Sequence, residues 1–62
     1  MTVREKRLSA GLTQAKLAAA AGINLRQVQK IESGEIRVEN ITLGNAAKLA
    51  AALGVKIEDL LA

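Results

Sequence analysis

Three polar side chains that can recognise nucleic acid recur at helical spacing in the middle of the chain. Arg26, Gln29 and Lys30 lie on one side of a predicted helix. Successive helical residues are about 100° apart, which places Val28 and Ile31 on the opposite side. Arginine can donate two hydrogen bonds to guanine, and glutamine can bond adenine in the same bidentate way. In an arbitrary helical protein such a face is more often solvated surface, so the neighbouring elements decide between these interpretations.

Glycines separate the segments that have helical spacing. Gly11, Gly22, Gly34 and Gly54 each follow such a segment, where a left-handed residue commonly ends a helix. Thr13, Asn24 and Asn40 are expected to be N-caps, and residues 35–39 to form a loop. Five helices are therefore predicted, at about residues 3–10, 14–21, 25–33, 41–53 and 57–61. The chain has no strand pattern, internal repeat or linker.

The joint between the second and third predicted helices is the most specific pattern in the chain. Only Gly22 and Ile23 are expected to separate them before the Asn24 cap, so the two helices must cross at a steep angle. Ala18 supplies a small residue where they come closest, and Gly22 tolerates the positive φ of the turn. This combination predicts a helix-turn-helix, whose second helix enters the major groove of DNA.

Composition limits the functions that the chain can have. Its 62 residues include no His and no Cys, the residues that most often bind metals and act as general bases or nucleophiles. We therefore expect neither an enzyme nor a metal or cofactor. Phe, Tyr and Trp are also absent, which weakens any single-strand-binding function. We expect one domain over residues 1–62 and a cytoplasmic location, associated with the nucleoid when bound, because no apolar run is long enough to cross a membrane.

The charge is concentrated in the first half of the sequence. The formal net charge is +3, with +4 in residues 1–34 and −1 in residues 35–62. A basic half is typical of a small protein that contacts phosphates, although many small basic domains bind no nucleic acid.

Two runs of residues carry a resemblance to a known family. The first is Gly11-Leu12-Thr13-Gln14, Leu17-Ala18, Ala21-Gly22-Ile23-Asn24, Val28 and Ile31-Glu32-Ser33-Gly34. The second is Ala47-Lys48-Leu49-Ala50-Ala51-Ala52-Leu53-Gly54-Val55 with Leu60-Leu61. With these runs in register, the chain resembles the Cro and phage-repressor helix-turn-helix family, often called the XRE type. The segment after Gly34 is longer than the commonest family pattern and lacks its usual proline. The resemblance implies a compact, all-α, five-helix lambda-repressor-like domain.

The resemblance also implies roles for individual residues. Gln14 matches a position that touches the DNA backbone and braces the recognition helix. Arg7 and Glu32 match an internal ion pair that ties the first helix to the recognition helix. The positions nearest the base edges are Asn24, Leu25, Arg26, Gln29 and Lys30. Further candidates for phosphate contacts, which position a protein without reading sequence, are Thr13, Gln27, Arg37 and Thr42. Leu25 has three open interpretations: a thymine-methyl contact, a residue at the edge of the core, or a partner contact.

The C-terminal apolar residues raise the question of a homodimer. Val55, Ile57, Leu60 and Leu61 are four bulky residues in a span of seven, more than one short helix buries alone. Family repressors commonly pair through this region, and the alternative is a monomer whose last helix seals its own core. The expected function is a dimeric, sequence-specific repressor of a palindromic operator in double-stranded DNA. The alternatives are an antitoxin-type regulator with a toxin partner and a helical protein-interaction module without specific DNA binding.

Overall fold

The computed structural model describes residues 2–61, except for the side chain of Leu61. Within this range the chain forms five α-helices and no strand, which confirms the all-α, five-helix prediction. One turn of 3-10 helix, Val38–Asn40, overlaps the predicted loop of residues 35–39 and includes Asn40. The helices are α1 (Val3–Ser9), α2 (Gln14–Ala21), α3 (Leu25–Ser33), α4 (Leu43–Leu53) and α5 (Ile57–Leu61). No helix in the described part is both long enough and apolar enough to cross a bilayer.

Short polar side chains fix where the first helices begin. Thr2 and Glu5 form a capping box at α1, in which Glu5 N donates to Thr2 Oγ1 at 3.1 Å and Thr2 N donates to Glu5 Oε1 at 2.8 Å. The hydrogen bond from the Thr2 backbone lowers the pKa of Glu5 below its usual value. Thr13 Oγ1 accepts from Lys16 N at 3.1 Å, so Thr13 is the N-cap of α2 as predicted.

The start of α4 differs from the prediction. Thr42, not Asn40, is the N-cap, because Thr42 Oγ1 accepts from Asn45 N at 3.2 Å. Asn40 ends the 3-10 turn, where its N–H donates to Arg37 O at 2.9 Å. Ile41 is half-buried against the core in extended conformation, which delays the first turn of α4 by two residues. The prediction was wrong because either residue type is a good N-cap and only packing decides between them.

The core lies where α2 packs against α3 and α4. Leu17, Val28 and Leu49 are fully buried at its centre. Gly22 ends α2 with φ +68°, a left-handed conformation that lets the chain reverse within two residues into α3. The short joint predicted at Gly22 and Ile23 therefore forms, and α3 packs against α2 directly after it.

Candidate nucleic-acid interface

The third helix has one buried side and one polar side. Val28 and Ile31 point into the core, with 0% and 7% of their surface exposed. Arg26 and Gln29 are exposed and Lys30 is half-buried on the other side. The sequence prediction that these two sets of residues face opposite ways agrees with the observed burial. The outer face of α3 is therefore free to contact another molecule.

Both ends of α3 are fixed by local hydrogen bonds. Asn24 Oδ1 accepts from Arg26 N at 2.7 Å, so the exposed Asn24 is the N-cap of α3. Gly34 ends the helix with φ +85° and donates to Ile31 O at 3.2 Å. The helix is thus a short rod with defined ends, which holds its outer side chains in a fixed register.

The outer side chains of α3 surround one shallow depression. Its volume is about 330 Å³, and the residues that line it are Arg26, Gln29, Lys30, Ser33 and Glu35. Arg26 and Lys30 are one turn apart, as are Gln29 and Ser33. Guanidinium, ammonium and amide donors are therefore concentrated in one patch, together with a single carboxylate from Glu35.

The inner edge of α3 is tied to α1 by an ion pair. Arg7 Nε lies 2.7 Å from Glu32 Oε2, and Arg7 Nη2 donates to Glu32 Oε1 at 3.0 Å. Arg7 Nη1 donates to Leu12 O at 2.7 Å. The two side chains are only 11% and 4% exposed. The hydrogen bond to Glu32 raises the pKa of Arg7, so the guanidinium stays charged. The structure thus brings together the two residues that the family resemblance paired.

Gln14 connects the second helix to the same carboxylate. Gln14 Nε2 donates to Glu32 Oε1 at 3.3 Å, and Gln14 is the first residue of α2. The bracing contact with the recognition helix, implied by the resemblance, is therefore present in the structure. One carboxylate on α3 holds both α1 and α2, which restricts the angle at which α3 can be presented.

Arg4 is a candidate that the sequence analysis did not single out. It is exposed on α1 and lines a second depression, of about 420 Å³, together with Arg7, Gln14, Gln29 and Glu32. The depression joins the start of α2 to the outer face of α3. The sequence signal for Arg4 is its position three residues before Arg7, which places both arginines on one side of α1.

The remaining contact candidates are more scattered. Thr13 and Thr42 use their hydroxyl oxygens as N-cap acceptors and keep a hydroxyl hydrogen to donate. Gln27 is half-buried, and Leu25 is 39% exposed in the first turn of α3. Arg37 is exposed and lies 3.5 Å from Glu39. Neither Arg37 nor Thr42 lines the two depressions beside α3.

The residues considered for dimerisation do not form one exposed patch. Leu60 is only 4% exposed and belongs to the core of its own chain. Val55 and Ile57 are half-buried against the same core, and the Leu61 side chain lies outside the described residues. The core thus uses Leu60 itself, which leaves parts of Val55 and Ile57 at the surface. No group of side chains suited to a metal ion comes together in the range that the structure describes.

Comparison with known proteins identifies the family. A family model described as helix-turn-helix matches residues 3–60, a range that includes α1 to α4 and most of α5. No curated protein and no solved structure matches the chain. The match covers the α2–α3 corner and the C-terminal helices, on which the resemblance to Cro and the phage repressors rests, and also the Arg7–Glu32 pair that the resemblance implies. The chain therefore belongs to the XRE-type helix-turn-helix family and is a DNA-binding regulator.

Proposed function

We propose that the protein is a transcriptional repressor that reads a specific sequence in double-stranded DNA with the outer face of α3. The observation that carries this proposal is the concentration of Arg26, Gln29 and Lys30 on the exposed side of a helix whose other side is buried. Occupancy of a site that overlaps a promoter would exclude RNA polymerase sterically. The domain over residues 1–62 acts as one unit in this proposal.

The dimensions of α3 suit the major groove. An α-helix with its side chains is about 10–12 Å across, and the groove is about 12 Å wide. In helix-turn-helix proteins the N-terminal residues of the second helix contact base edges. We assign base contacts to Asn24, Leu25 and Arg26 at this end, with Gln29 and Lys30 one turn further. Arg26 suits guanine and Gln29 suits adenine, and Leu25 can pack against a thymine methyl group.

Phosphate contacts are proposed around this helix. Arg4 and Gln14 lie beside the outer face of α3, where a neighbouring backbone strand would pass. Further contacts are assigned to Thr13, Gln27, Arg37 and Thr42. Each phosphate that is neutralised contributes about 0.9 to the slope of log K against log salt concentration. Replacement of Arg4 by Ala should therefore reduce this slope by about 0.9 and weaken binding to every sequence alike.

We further propose that two copies bind a palindromic operator. The exposed parts of Val55 and Ile57 supply apolar surface for pairing, and Leu60 supports them from within the core. Pairing would set two recognition helices one DNA turn apart, about 34 Å. Sedimentation equilibrium at about 100 µM protein tests this, since a purely monomeric distribution would contradict the dimer without affecting the DNA-reading face.

Selection from a random duplex library at about 0.15 M salt tests the proposal. Enrichment of a near-palindrome with half-sites about ten base pairs apart supports the dimeric repressor, and a single enriched half-site supports DNA reading by a monomer. No enrichment would contradict sequence-specific binding and favour a protein-interaction module. Arg26→Ala should relax the preference at one base pair by about 1–3 kcal/mol, which is about fivefold to 150-fold. Lys48→Ala is the matched control, because it removes the same charge from the exposed surface of α4 and should leave the preference unchanged.

A further inference from the structure

One carboxylate lies among the donors of the α3 outer face. Glu35 is exposed and lines the same depression as Arg26, Gln29 and Lys30. DNA presents phosphates to such a surface, so a negative charge there opposes the binding that its neighbours favour. The family match assigns no role to this residue, and neither does the proposed function.

The position of Glu35 is fixed by the turn that follows α3. Glu35 N donates to Ser33 Oγ at 3.3 Å, and Ser33 Oγ donates to Lys30 O at 3.0 Å. Ile36 N also donates to Lys30 O, at 3.1 Å. These hydrogen bonds hold the backbone of Glu35 against the last turn of α3. The Glu35 side chain therefore begins beside the last turn of α3, and it lines the same depression as Arg26 and Lys30.

The placement of Glu35 is not explained by stability. The ion pairs within 4.0 Å among the described residues are Arg7–Glu32 and Arg37–Glu39, so neither Arg26 nor Lys30 pairs with Glu35. A negative charge just beyond the C-terminal end of a helix is also unfavourable, because that end carries the negative pole of the helix dipole. A glutamine at this position would fit the fold at least as well.

We infer that Glu35 attenuates DNA binding by repelling phosphates at the edge of the major groove. This inference rests on the proposed DNA-reading face of α3. Base edges are read at the N-terminal end of α3, near the Asn24 cap. Glu35 lies beyond the C-terminal end, which is about 13 Å from that cap. A carboxylate there meets the backbone at the groove edge instead of accepting a hydrogen bond from cytosine. The repulsion acts on every sequence, so Glu35 reduces affinity and residence time without choosing the site.

Binding of a fluorescent random-sequence duplex pool, and of the duplex enriched by selection, tests this inference at about 0.05 M salt. Glu35→Gln should tighten binding to both kinds of duplex by the same factor, about threefold to tenfold. The reason is that the Glu35 carboxylate and a neighbouring DNA phosphate are close together and weakly screened at this salt concentration. The gain should shrink when the salt concentration is raised to about 0.15 M, where the Debye length falls to about 8 Å. Glu58→Gln is the matched control, because it makes the same change on an exposed residue of α5.

Each other outcome overturns the inference. Unchanged affinity for Glu35→Gln means that the carboxylate does not face phosphates. Weaker binding to the enriched duplex alone means that Glu35 reads a base, and an equal gain for Glu58→Gln means that only net charge matters. Arg26→Ala in the same assay separates the two hypotheses. If Arg26→Ala weakens binding while Glu35→Gln has no effect, only the inference fails. If Arg26→Ala also has no effect, the proposed α3 face fails with it.

Discussion

The two arginine–glutamate pairs of the described chain have the same chemistry but different surroundings. Arg7 and Glu32 join α1 to α3 at 2.7 Å with side chains almost fully buried. Arg37 and Glu39 lie two residues apart at 3.5 Å, with 76% and 57% of their side chains exposed. The first pair has further hydrogen-bond partners in the Leu12 carbonyl and the Gln14 amide. The second pair has none of these supports.

The two pairs therefore differ in how much they contribute to holding the helices in place. An exposed pair gains little, because water screens the charges and two long side chains lose entropy. A buried pair makes each partner necessary, because loss of one leaves a charge without compensation in a poorly solvated place. The Glu32 carboxylate accepts from both α1 and α2, so it sets the angle between three helices. The Arg37 side chain lies on the surface of the segment between α3 and α4, whose Ile36 and Val38 pack against the core.

Removal of the Glu32 carboxylate should have the largest effect. Glu32→Ala leaves the Arg7 guanidinium buried without an anion, and we expect the thermal midpoint to fall by at least about 12 °C. Thermal unfolding followed by circular dichroism measures this. Glu32→Gln keeps one acceptor oxygen and should lie between Glu32→Ala and the original chain. A midpoint within 2–3 °C of the original (roughly 0.5 kcal/mol for a chain of this size) for Glu32→Ala would show that the pair does not hold the three helices together.

Replacement of glycine by alanine should change the free energy of unfolding in opposite directions at Gly22 and at Gly44. Gly22 at the α2–α3 corner has φ +68°, so Gly22→Ala should cost about 1–2 kcal/mol although no atom obstructs the new methyl group. Gly44 is the second residue of α4 and has open space around it. Gly44→Ala should stabilise the protein by up to about 1 kcal/mol. Urea unfolding measures the stability of both variants. A change in the same direction for both would contradict this prediction.

The start of α4 can be tested by two cap substitutions. Thr42→Ala removes the acceptor for Asn45 N and should cost about 1 kcal/mol in the free energy of unfolding. Asn40→Ala should change it by less than about 0.5 kcal/mol, because Asn40 is not the N-cap. Urea unfolding of both variants measures the difference. A larger loss for Asn40→Ala would restore the boundary expected from the sequence.

Loss of the exposed pair should have the smallest effect on stability. Arg37→Ala should change the free energy of unfolding by no more than about 0.5 kcal/mol. If Arg37 contacts a phosphate as proposed, the same variant should bind every duplex more weakly. Urea unfolding and duplex titration on one protein sample separate these effects. A clear stability loss would mean that the two pairs are not as different as their exposure indicates.

Local patterns predicted the α2–α3 corner well. The Thr13 and Asn24 caps and the Gly22 turn depend on neighbours within a few residues, and all three are present. The pairing of Arg7 with Glu32 came only from the family resemblance. The spacing of residues alone could not join two side chains 25 positions apart.

The remaining features depend on packing between distant segments. Asn40 and Thr42 are both good N-cap residues. Thr42 is the cap of α4 because Ile41, between them, packs against the core in extended conformation. Leu60 was expected at a surface for pairing, whereas the core of its own chain buries it. The spacing of Arg4 and Arg7 puts both on one side of α1, but the place of Arg4 beside Gln29 depends on how α1 and the start of α2 meet. Such contacts have no signature in the order of the residues.

The burial of Leu60 has a consequence for how the molecule opens. The short helix α5 packs on α4 and on the 3-10 turn Val38–Asn40, so release of Leu60 uncovers both at once. We expect the amide hydrogens of α5 and of this turn to exchange with solvent as one cooperative unit, before those of α2 and α3. Arg37 directly precedes the turn. Fluctuations at the C-terminal end of the chain would thus reach a proposed phosphate contact through a shared opening event, without any change in the recognition helix.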